Sequence, residues 1–275
     1  MTADTRLLIV DPQNDFCDFS ERDLPAGCLP ALPVPGAHAD LRRLARALLA
    51  HPQRVSHLAV TLDTHHAYDI AHPGYWLTGD GQPVAPFTPI SAQAVRTGAF
   101  RTRREEDAGR AQCYLDALQA AGRYELMIWP VHCVDGHWGH HVHDEVGAAC
   151  AVWAQQAASE VFTLRKGLNP HTEHYSALMA EVPDPQDPAT GLNRELLNWV
   201  EQADALWVAG QASSHCVRAT VEHLVAYLPA GFASRMTLLT DCMSPVAGFE
   251  SQSDAFLADM QARGAQLATV RERLG

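Results

Sequence analysis

The chain has 275 residues, 47% of them hydrophobic, and its 20 basic and 32 acidic side chains give a formal net charge of −12. This length can bury a full core, while the negative charge repels nucleic acid and anionic membrane surfaces. Because no apolar run reaches the roughly 18 residues that span a bilayer and the seven cysteines form no CxxC pair, we expect a cytoplasmic protein without membrane partner or disulfide framework.

The first two predicted strands both end at an aspartate. Residues 6–10 form a short apolar run that stops at Asp11, and the run HLAVTL at residues 57–62 stops at Asp63. Between them, residues 37–49 have the apolar spacing of a helix. Ligand sites form at the carboxyl edge of open parallel sheets, which is where the Asp11 carboxylate would lie.

Residues 64–104 are predicted to be irregular, because they contain several prolines and glycines and five aromatic residues. Such a long segment is a functional loop or lid, or an insertion. Trp76 is a candidate for stacking on a flat substrate, as is Tyr75, and the alternative is that both anchor the segment on the core.

The later segments continue to alternate between helix and strand. The predicted strands cover residues 124–128, 160–164, 205–208, 236–240 and 266–270, and the predicted helices cover residues 105–121, 139–158, 193–202 and 250–263, with a further helix after residue 210. This alternation predicts an α/β fold with a parallel sheet covered by helices on both faces. No repeat or long linker divides the chain, so we expect one domain over residues 1–275.

Cys216 lies where a buried strand passes through a turn of small residues into a helix. At a helix start, unpaired backbone N–H groups and the helix dipole stabilise a thiolate and lower the pKa of the thiol. A nucleophilic cysteine is often built in this way. The alternative is that Cys216 is one more buried small apolar residue.

Two further candidates lie at other strand ends, Asp11 and Lys166. Right-handed crossovers bring such ends to one rim of the sheet, so the two residues can meet Cys216 there. Lys166 is the one lysine among 20 basic residues, which suggests a need for a compact charge or a removable proton. These three groups can together attack a carbonyl carbon. The thiolate is the nucleophile, the carboxylate takes its proton, and the ammonium stabilises both.

The order of these motifs resembles that of the isochorismatase-like cysteine hydrolases, and the nicotinamidases within that family are the most similar. The resemblance runs over residues 6–245. Its motifs are Asp11 in LLIVDPQNDF, Asp63-Thr64-His65, Trp129-Pro130-Val131-His132-Cys133, Lys166, and Gly210-Gln211-Ala212-Ser213-Ser214-His215-Cys216-Val217.

The resemblance implies a three-layer α/β/α fold with a six-stranded, mainly parallel sheet, and a catalytic triad of Asp11, Lys166 and Cys216. It further implies a cis peptide at Gln211-Ala212, with the backbone N–H groups of Ala212 and Cys216 forming the oxyanion hole, and Phe16 in the substrate pocket. The expected reaction is hydrolysis of a small amide, nicotinamide above all, through a thioester with release of ammonia.

The resemblance also implies a divalent metal ion, usually zinc, held by the Asp and His of the D-x-H motif and by a second histidine. Asp63 and His65 match that motif, and His72 is the candidate for the second histidine, ahead of His66. The alternative is that the metal has been lost and Asp63 only ends a strand. The five histidines between residues 132 and 143 are interpreted as a solvated face in preference to a second metal site, because His132 belongs to the WPVHC motif and the others lie at a predicted helix start.

Two other functions stay open at this point. Related enzymes share the triad and act on another small amide, a carbamoyl compound or a vinyl ether such as isochorismate. A silent homologue that works as a binding or scaffold protein is the other alternative, although it would have no physical need for all three triad residues. A homo-oligomer is compatible with the sequence, which does not specify the oligomeric state.

Overall fold

The computed structural model describes residues 3–275. Its strands are β1 Thr5–Val10, β2 His57–Asp63, β3 Trp76–Thr78, β4 Thr88–Ile90, β5 Phe100–Thr102, β6 Leu126–Ile128, β7 Phe162–Lys166, β8 Ala205–Gly210, β9 Met236–Leu239 and β10 Gln266–Ala268. Six of them form one parallel sheet in the order β10-β9-β8-β1-β2-β7. The predicted parallel sheet and its six strands are confirmed.

Eight α-helices connect and cover the strands. They are α1 Ala37–Ala50, α2 Ala92–Arg96, α3 Ala108–Ala121, α4 Asp144–Ala157, α5 Arg194–Glu201, α6 Cys216–Tyr227, α7 Glu250–Ala262 and α8 Val270–Leu274. Across residues 3–275, none of these helices combines the length and the apolarity that crossing a membrane requires.

The central strand β1 shows why the sheet is buried on both faces. Its residues Leu7 to Val10 are fully buried, and successive side chains of a strand point to opposite faces. Leu8 and Val10 belong to the apolar core that contains residues of α5, α6 and α7. Leu7 and Ile9 belong to the core that contains residues of α1, α4 and α8. The three-layer α/β/α architecture is therefore confirmed.

Two predicted boundaries were wrong in a way that matters for the site. The strand predicted at 160–164 is β7, Phe162–Lys166, so Lys166 is the last residue of the strand instead of a loop residue after it. The helix predicted at 139–158 begins at Asp144, because Trp138–His140 forms a separate 3-10 turn.

Residues 64–104 were predicted to be irregular, and this prediction was wrong. The segment contains secondary structure of its own. Strands β3 and β5 pair antiparallel, and β4 pairs with β6. The strand predicted at 124–128 is this β6, and it lies outside the six-stranded sheet. These elements share a small apolar core that contains Ile70, Trp76 and Leu118. Strands of three residues are too short to show a sequence period, which is why the segment looked irregular.

The carboxyl ends of four strands lie side by side at one edge of the sheet. The register pairs Asp63 on β2 with Lys166 on β7, and Val10 on β1 with Gly210 on β8. The chain segments that follow β1 and β8 begin at this edge, where side chains from distant parts of the sequence meet.

Candidate active site

Asp11 follows the last residue of β1 and is held from the neighbouring strand. Its backbone N–H donates to the carbonyl oxygen of Thr61 at 3.1 Å, and the hydroxyl of Thr61 donates to Asp11 Oδ1 at 2.6 Å. The carboxyl group is fully buried. One oxygen is therefore fixed by β2, and Oδ2 is left to face the sheet edge.

The ammonium of Lys166 occupies the centre of this edge. Its Nζ lies 3.0 Å from Asp11 Oδ2, 2.9 Å from Asp63 Oδ1 and 3.6 Å from Cys216 Sγ, and it donates to the carbonyl oxygen of His174 at 2.9 Å. The structure thus brings together Asp11, Lys166 and Cys216, as the sequence predicts, and it adds Asp63 as a second carboxylate on the lysine.

Cys216 is the first residue of α6 and is 5% exposed. The preceding turn starts at Gly210, where φ is +120° and any side chain would press into the backbone of Val10 on β1. Glycine is needed there because the two backbones approach so closely. The peptide bond between Gln211 and Ala212 is cis, as the resemblance implies.

The turn leaves two backbone donors free beside the sulfur. Within residues 3–275, neither the N–H of Ala212 nor that of Cys216 donates to a protein acceptor, whereas the neighbouring His215 and Val217 both donate to the carbonyl of Ala212. The turn is anchored through Gln211, whose side-chain Oε1 accepts from the backbone N–H of Ser244 at 3.2 Å.

Burial and the neighbouring charges shift the pKa values of Cys216, Asp11 and Lys166. Burial raises the pKa of the Cys216 thiol well above its ordinary value, although Lys166 opposes the shift, so the expected low pKa of a helix-start cysteine is not found. Burial also raises the pKa of Asp11, again against Lys166. Burial disfavours the ammonium of Lys166, but Asp11 and Asp63 outweigh it and raise its pKa well above the ordinary range. Lys166 therefore acts as a compact positive charge.

A second group of polar side chains lies next to the lysine. His65, His72 and His132 are buried, and each offers a nitrogen atom within 4.8 Å of those of the other two. Asp63 joins this group, because its Oδ2 lies 3.2 Å from His65 Nε2 and 3.7 Å from His132 Nε2. We refer to these four residues as the metal cluster.

The hydrogen bonds of the three imidazoles test whether the metal cluster fits a cation. The Nδ1 atoms are each held by an oxygen: Asp69 Oδ2 at 3.0 Å from His65, the carbonyl of His66 at 3.1 Å from His72, and the carbonyl of Pro130 at 2.8 Å from His132. A metal-binding histidine donates a hydrogen bond from its second ring N–H to such an oxygen. This hydrogen bond fixes the tautomer and leaves Nε2 free to bind the metal. Three imidazoles and a carboxylate are also donors that zinc uses. The residues present therefore fit a divalent ion.

His132 is the residue of the metal cluster that the sequence analysis missed. The interpretation as a solvated face holds for His137 and His141, which are exposed. It is wrong for His132, His140 and His143, which are buried with 4%, 8% and 2% of their surface exposed. The loop that carries His132 pairs with the D-x-H segment, because the N–H of His65 donates to the carbonyl of Cys133 at 3.0 Å. Pairing between segments more than 60 residues apart leaves no local signal.

A small, narrow cavity opens onto Cys216. Aromatic side chains dominate its wall, and the metal cluster contributes Asp63 and His132. Its lining residues are Phe16, Leu32, Asp63, Trp129, His132, Glu173, Tyr175, Ala212, His215, Cys216 and Val246. Phe16 lies in this wall, in agreement with the resemblance. Trp129, Tyr175, Glu173 and His215 were not identified as pocket residues from the sequence.

Trp76 does not lie in this wall, which corrects its assignment as a substrate-binding residue. Its side chain is fully buried in the small core of the 64–128 region, and its Nε1–H donates to the carbonyl of Ile70 at 2.7 Å. It anchors the inserted segment, as the alternative interpretation has it. The flat aromatic side chain in the cavity beside Cys216 is instead Trp129, which belongs to the WPVHC motif.

No protein-family model matches the chain. A nicotinamidase of Saccharomyces cerevisiae is 22% identical over 243 residues, which are 88% of this chain and 88% of the yeast protein.

Solved structures share the fold over nearly the full length. A nicotinamidase/pyrazinamidase of Acinetobacter baumanii has a TM-score of 0.63 at 17% identity, covering 98% of each chain. A pyrazinamidase of Pyrococcus horikoshii in complex with zinc has a TM-score of 0.54 at 16% identity, covering 97% of this chain and 99% of the other. An isochorismatase family protein of Desulfovibrio vulgaris has a TM-score of 0.52 at 17% identity, covering 98% and 96%. The chain has the isochorismatase-like hydrolase fold, and the resemblance seen in the motifs is confirmed.

Proposed function

We propose that the chain is a cysteine-dependent amidohydrolase that converts nicotinamide, or a closely similar aromatic amide, into the carboxylate and ammonia. The observation that carries the proposal is the contact of one buried ammonium, Lys166, with Asp11 on one side and Cys216 on the other. The cavity beside the sulfur has aromatic walls suited to a flat ring. The yeast protein that is similar in sequence and the Acinetobacter protein that is similar in fold are nicotinamidases.

In the first half of the reaction, Cys216 Sγ attacks the carbonyl carbon of the amide while Asp11 takes the thiol proton. Burial raises the pKa of Asp11, which makes its carboxylate a stronger base than an ordinary one. The free N–H groups of Ala212 and Cys216 donate hydrogen bonds to the carbonyl oxygen and stabilise the negative charge that develops on it. Asp11 then gives its proton to the amide nitrogen, the C–N bond breaks, and ammonia leaves a thioester on Cys216.

In the second half, water attacks the thioester carbon and Asp11 takes one of its protons. The C–S bond breaks, the acid is released, and the proton returns to the sulfur of Cys216. Lys166 keeps its charge throughout, because two carboxylates raise its pKa, and it stabilises each anionic form of Asp11 and Cys216 in turn.

We further propose that Asp63, His65, His72 and His132 hold one divalent ion, zinc being the best match to three imidazoles and a carboxylate. When bound, such an ion would supply a fixed positive charge and a Lewis acid next to the substrate cavity. The Pyrococcus pyrazinamidase with the same fold is in complex with zinc, which supports this choice.

The test is ammonia release from nicotinamide by the purified protein. We expect turnover by the wild-type chain and none by Cys216→Ala, whereas Cys113→Ala, at an exposed cysteine far from the triad in sequence, should keep full activity. Release that persists in Cys216→Ala would contradict the cysteine mechanism. If the wild-type protein releases no ammonia from nicotinamide but does so from another small amide, the substrate assignment is wrong and the mechanism stands.

A further inference from the structure

Asp40 lies on α1, where it is 7% exposed, and its carboxylate reaches the turn that precedes Cys216. Its Oδ2 accepts hydrogen bonds from the hydroxyl of Ser244 at 2.6 Å and from Nε2 of Gln211 at 3.3 Å. Its Oδ1 accepts from the guanidinium of Arg43 at 3.2 Å on the same helix. Burial raises the pKa of Asp40, and these three donors oppose the shift because they stabilise the charged form. One oxygen of this buried carboxylate is therefore committed to the turn.

Ser244 ties the same turn to the chain segment after β9 through all three of its polar groups. Its hydroxyl donates to Asp40, its backbone N–H donates to Gln211 Oε1 at 3.2 Å, and its carbonyl accepts from the N–H of Ser213 at 2.9 Å. At Gly36, the residue before α1, a Cβ would lie 2.8 Å from Ser244 Oγ, so this segment packs directly against the start of the helix. The turn is therefore held from α1 and from the segment after β9 at once.

Both ends of the Gln211 side-chain amide are fixed by these contacts. Nε2 donates to Asp40 and Oε1 accepts from Ser244, while the backbone N–H donates to the carbonyl of Val10 on β1 at 2.8 Å. Gln211 is fully buried, so the loss of a partner would leave a polar group without a hydrogen bond and favour a shift of the residue. Gln211 is bonded directly to Ala212, whose free N–H is an oxyanion donor of the proposed reaction. A shift of Gln211 therefore moves that donor.

We propose that Asp40 is a positioning residue for the oxyanion hole, because through Gln211 it holds the N–H of Ala212 in place for the tetrahedral intermediate. The inference rests on the proposed amidohydrolase function and adds to it a residue that acts without touching the substrate. A donor stabilises the developing charge best when it is already in position, since movement during the reaction costs free energy. Loss of Asp40 should therefore weaken stabilisation of the tetrahedral species and leave binding of the planar amide almost unchanged.

The experiment replaces Asp40 in two ways. Asp40→Leu removes both acceptor oxygens, whereas Asp40→Asn can keep an oxygen toward Ser244 and Gln211 and loses the charge beside Arg43. We expect kcat for nicotinamide to fall about 10- to 100-fold in Asp40→Leu with KM nearly unchanged, which is less than the roughly 10²–10³-fold loss caused by removing an oxyanion donor itself. Asp40→Asn should recover most of this loss. Ser244→Ala removes one hydrogen bond to Asp40, leaves the backbone hydrogen bonds in place and should give a smaller fall.

Binding of nicotinaldehyde gives a readout that a merely structural role would not move. Cys216 Sγ bonds to the aldehyde carbon, the π electrons of the C=O bond move to the oxygen, and Asp11 takes the thiol proton, so the adduct has a tetrahedral oxyanion and no leaving group. We expect the dissociation constant of the aldehyde to rise in Asp40→Leu by the same factor by which kcat falls. The affinity of Cys216→Ala for nicotinamide, measured by calorimetry, should not change when Asp40→Leu is added.

Leu48→Ala is the matched control for a general loss of stability in α1. Leu48 is buried on the same helix, in the core shared with α4 and α8, and shortening it destabilises the fold. We expect a lower urea midpoint with kcat and aldehyde affinity at their wild-type values. Equal falls of kcat in Leu48→Ala and Asp40→Leu, or an equal loss of affinity for the aldehyde and the amide in Asp40→Leu, would overturn the inference. If Asp40→Leu does not fold, Ser244→Ala is compared with Leu48→Ala by the same measurements.

The aldehyde also separates this inference from the proposed function, because formation of the adduct needs no turnover. If the wild-type protein cleaves no amide, and its aldehyde affinity still falls in Asp40→Leu and recovers in Asp40→Asn, the proposed reaction fails while the role of Asp40 stands. If nicotinamide is cleaved and neither kcat nor aldehyde affinity responds to Asp40→Leu, the inference fails while the reaction stands.

Discussion

The ammonium of Lys166 lies 2.9 Å from Oδ1 of Asp63, whose other oxygen faces His65 and His132. The Asp63 carboxylate therefore contacts Lys166 with one oxygen and the histidines of the metal cluster with the other. The arrangement depends on sheet register, because Asp63 and Lys166 are paired residues at the ends of adjacent strands. A change at Asp63 should accordingly affect both halves of the site.

Asp63→Asn tests this double role. The amide keeps the shape of the side chain but removes the charge, so we expect zinc affinity to fall by more than the roughly 10–100-fold typical for an outer-shell partner, and kcat to fall with it. The matched control is Asp69→Asn, because the Asp69 carboxylate has its hydrogen bond with the metal cluster at His65 Nδ1 and does not contact Lys166. It should lower zinc affinity within that 10–100-fold range, and excess zinc should restore its activity. Restoration of Asp63→Asn to wild-type kcat by zinc would contradict a role on the lysine side.

Replacement of Lys166 tests the charge balance at the sheet edge. In Lys166→Met the carboxylates of Asp11 and Asp63 stay buried without their shared cation, and removing one partner of a buried ion pair costs about 3–5 kcal/mol. We expect a loss of this size in the free energy of unfolding, measured with urea, together with loss of turnover. Lys166→Met/Asp11→Asn should recover part of the stability and none of the activity. Equal stability of the single and double variants would show that the carboxylates do not depend on the lysine.

The meeting of Asp11, Lys166 and Cys216 was predictable, because each residue lies at or shortly after a strand end that the apolar runs mark in the sequence. The place of His132 in the metal cluster was not predictable, because it depends on the pairing of its loop with the D-x-H segment. The protonation of Cys216 was also mispredicted. A helix start lowers the pKa of a thiol that is near solvent, but here burial and two carboxylates oppose that effect.

The positions of two tryptophans also illustrate what could not be predicted from the sequence. Trp76 and Trp129 are both in segments rich in proline or glycine, and composition alone does not indicate which of them lines a cavity. The structure separates them, because the elements around Trp76 close into a core of their own, whereas Trp129 lines the same cavity as Cys216.

The two tryptophans give a matched pair of substitutions. Trp129→Leu removes part of the flat wall, so we expect KM for nicotinamide to rise about three- to tenfold, in line with the energy of an aromatic contact. Trp76→Leu leaves the wall intact and creates a cavity in the inserted core, so we expect a loss of about 2–3 kcal/mol in the free energy of unfolding with KM unchanged. Steady-state kinetics and urea unfolding of both variants check the assignment. A rise in KM for Trp76→Leu alone would reverse it.

Glu181 provides a test of pH dependence away from the reaction. Burial raises the pKa of this carboxyl to about 7, although Arg123 at 3.7 Å opposes the shift. The folded protein then binds a proton that the unfolded chain releases near its ordinary pKa of 4.5, so the contribution of Glu181 to stability falls as the pH rises from about 4.5 to 7. At 1.36 kcal/mol for each pKa unit, the full effect is roughly 3 kcal/mol.

Glu181→Gln removes this titration. We expect the variant to gain stability relative to the wild-type protein at pH 8 compared with pH 5, measured by urea unfolding at both values. Glu201→Gln, at an exposed residue of α5, controls for the loss of one negative charge. A difference between variant and wild type that does not depend on pH would show that Glu181 is ionised over the whole range.

The measurement that tests the central claim most directly is the mass of the protein quenched in acid during turnover of nicotinamide. The mechanism predicts a fraction of chains that carry one nicotinoyl group, found after digestion on the peptide that contains Cys216, and no such adduct in Cys216→Ala. Ammonia release by the wild-type protein with no acyl group on Cys216 at any quench time, and undiminished release by Cys216→Ala, would contradict it.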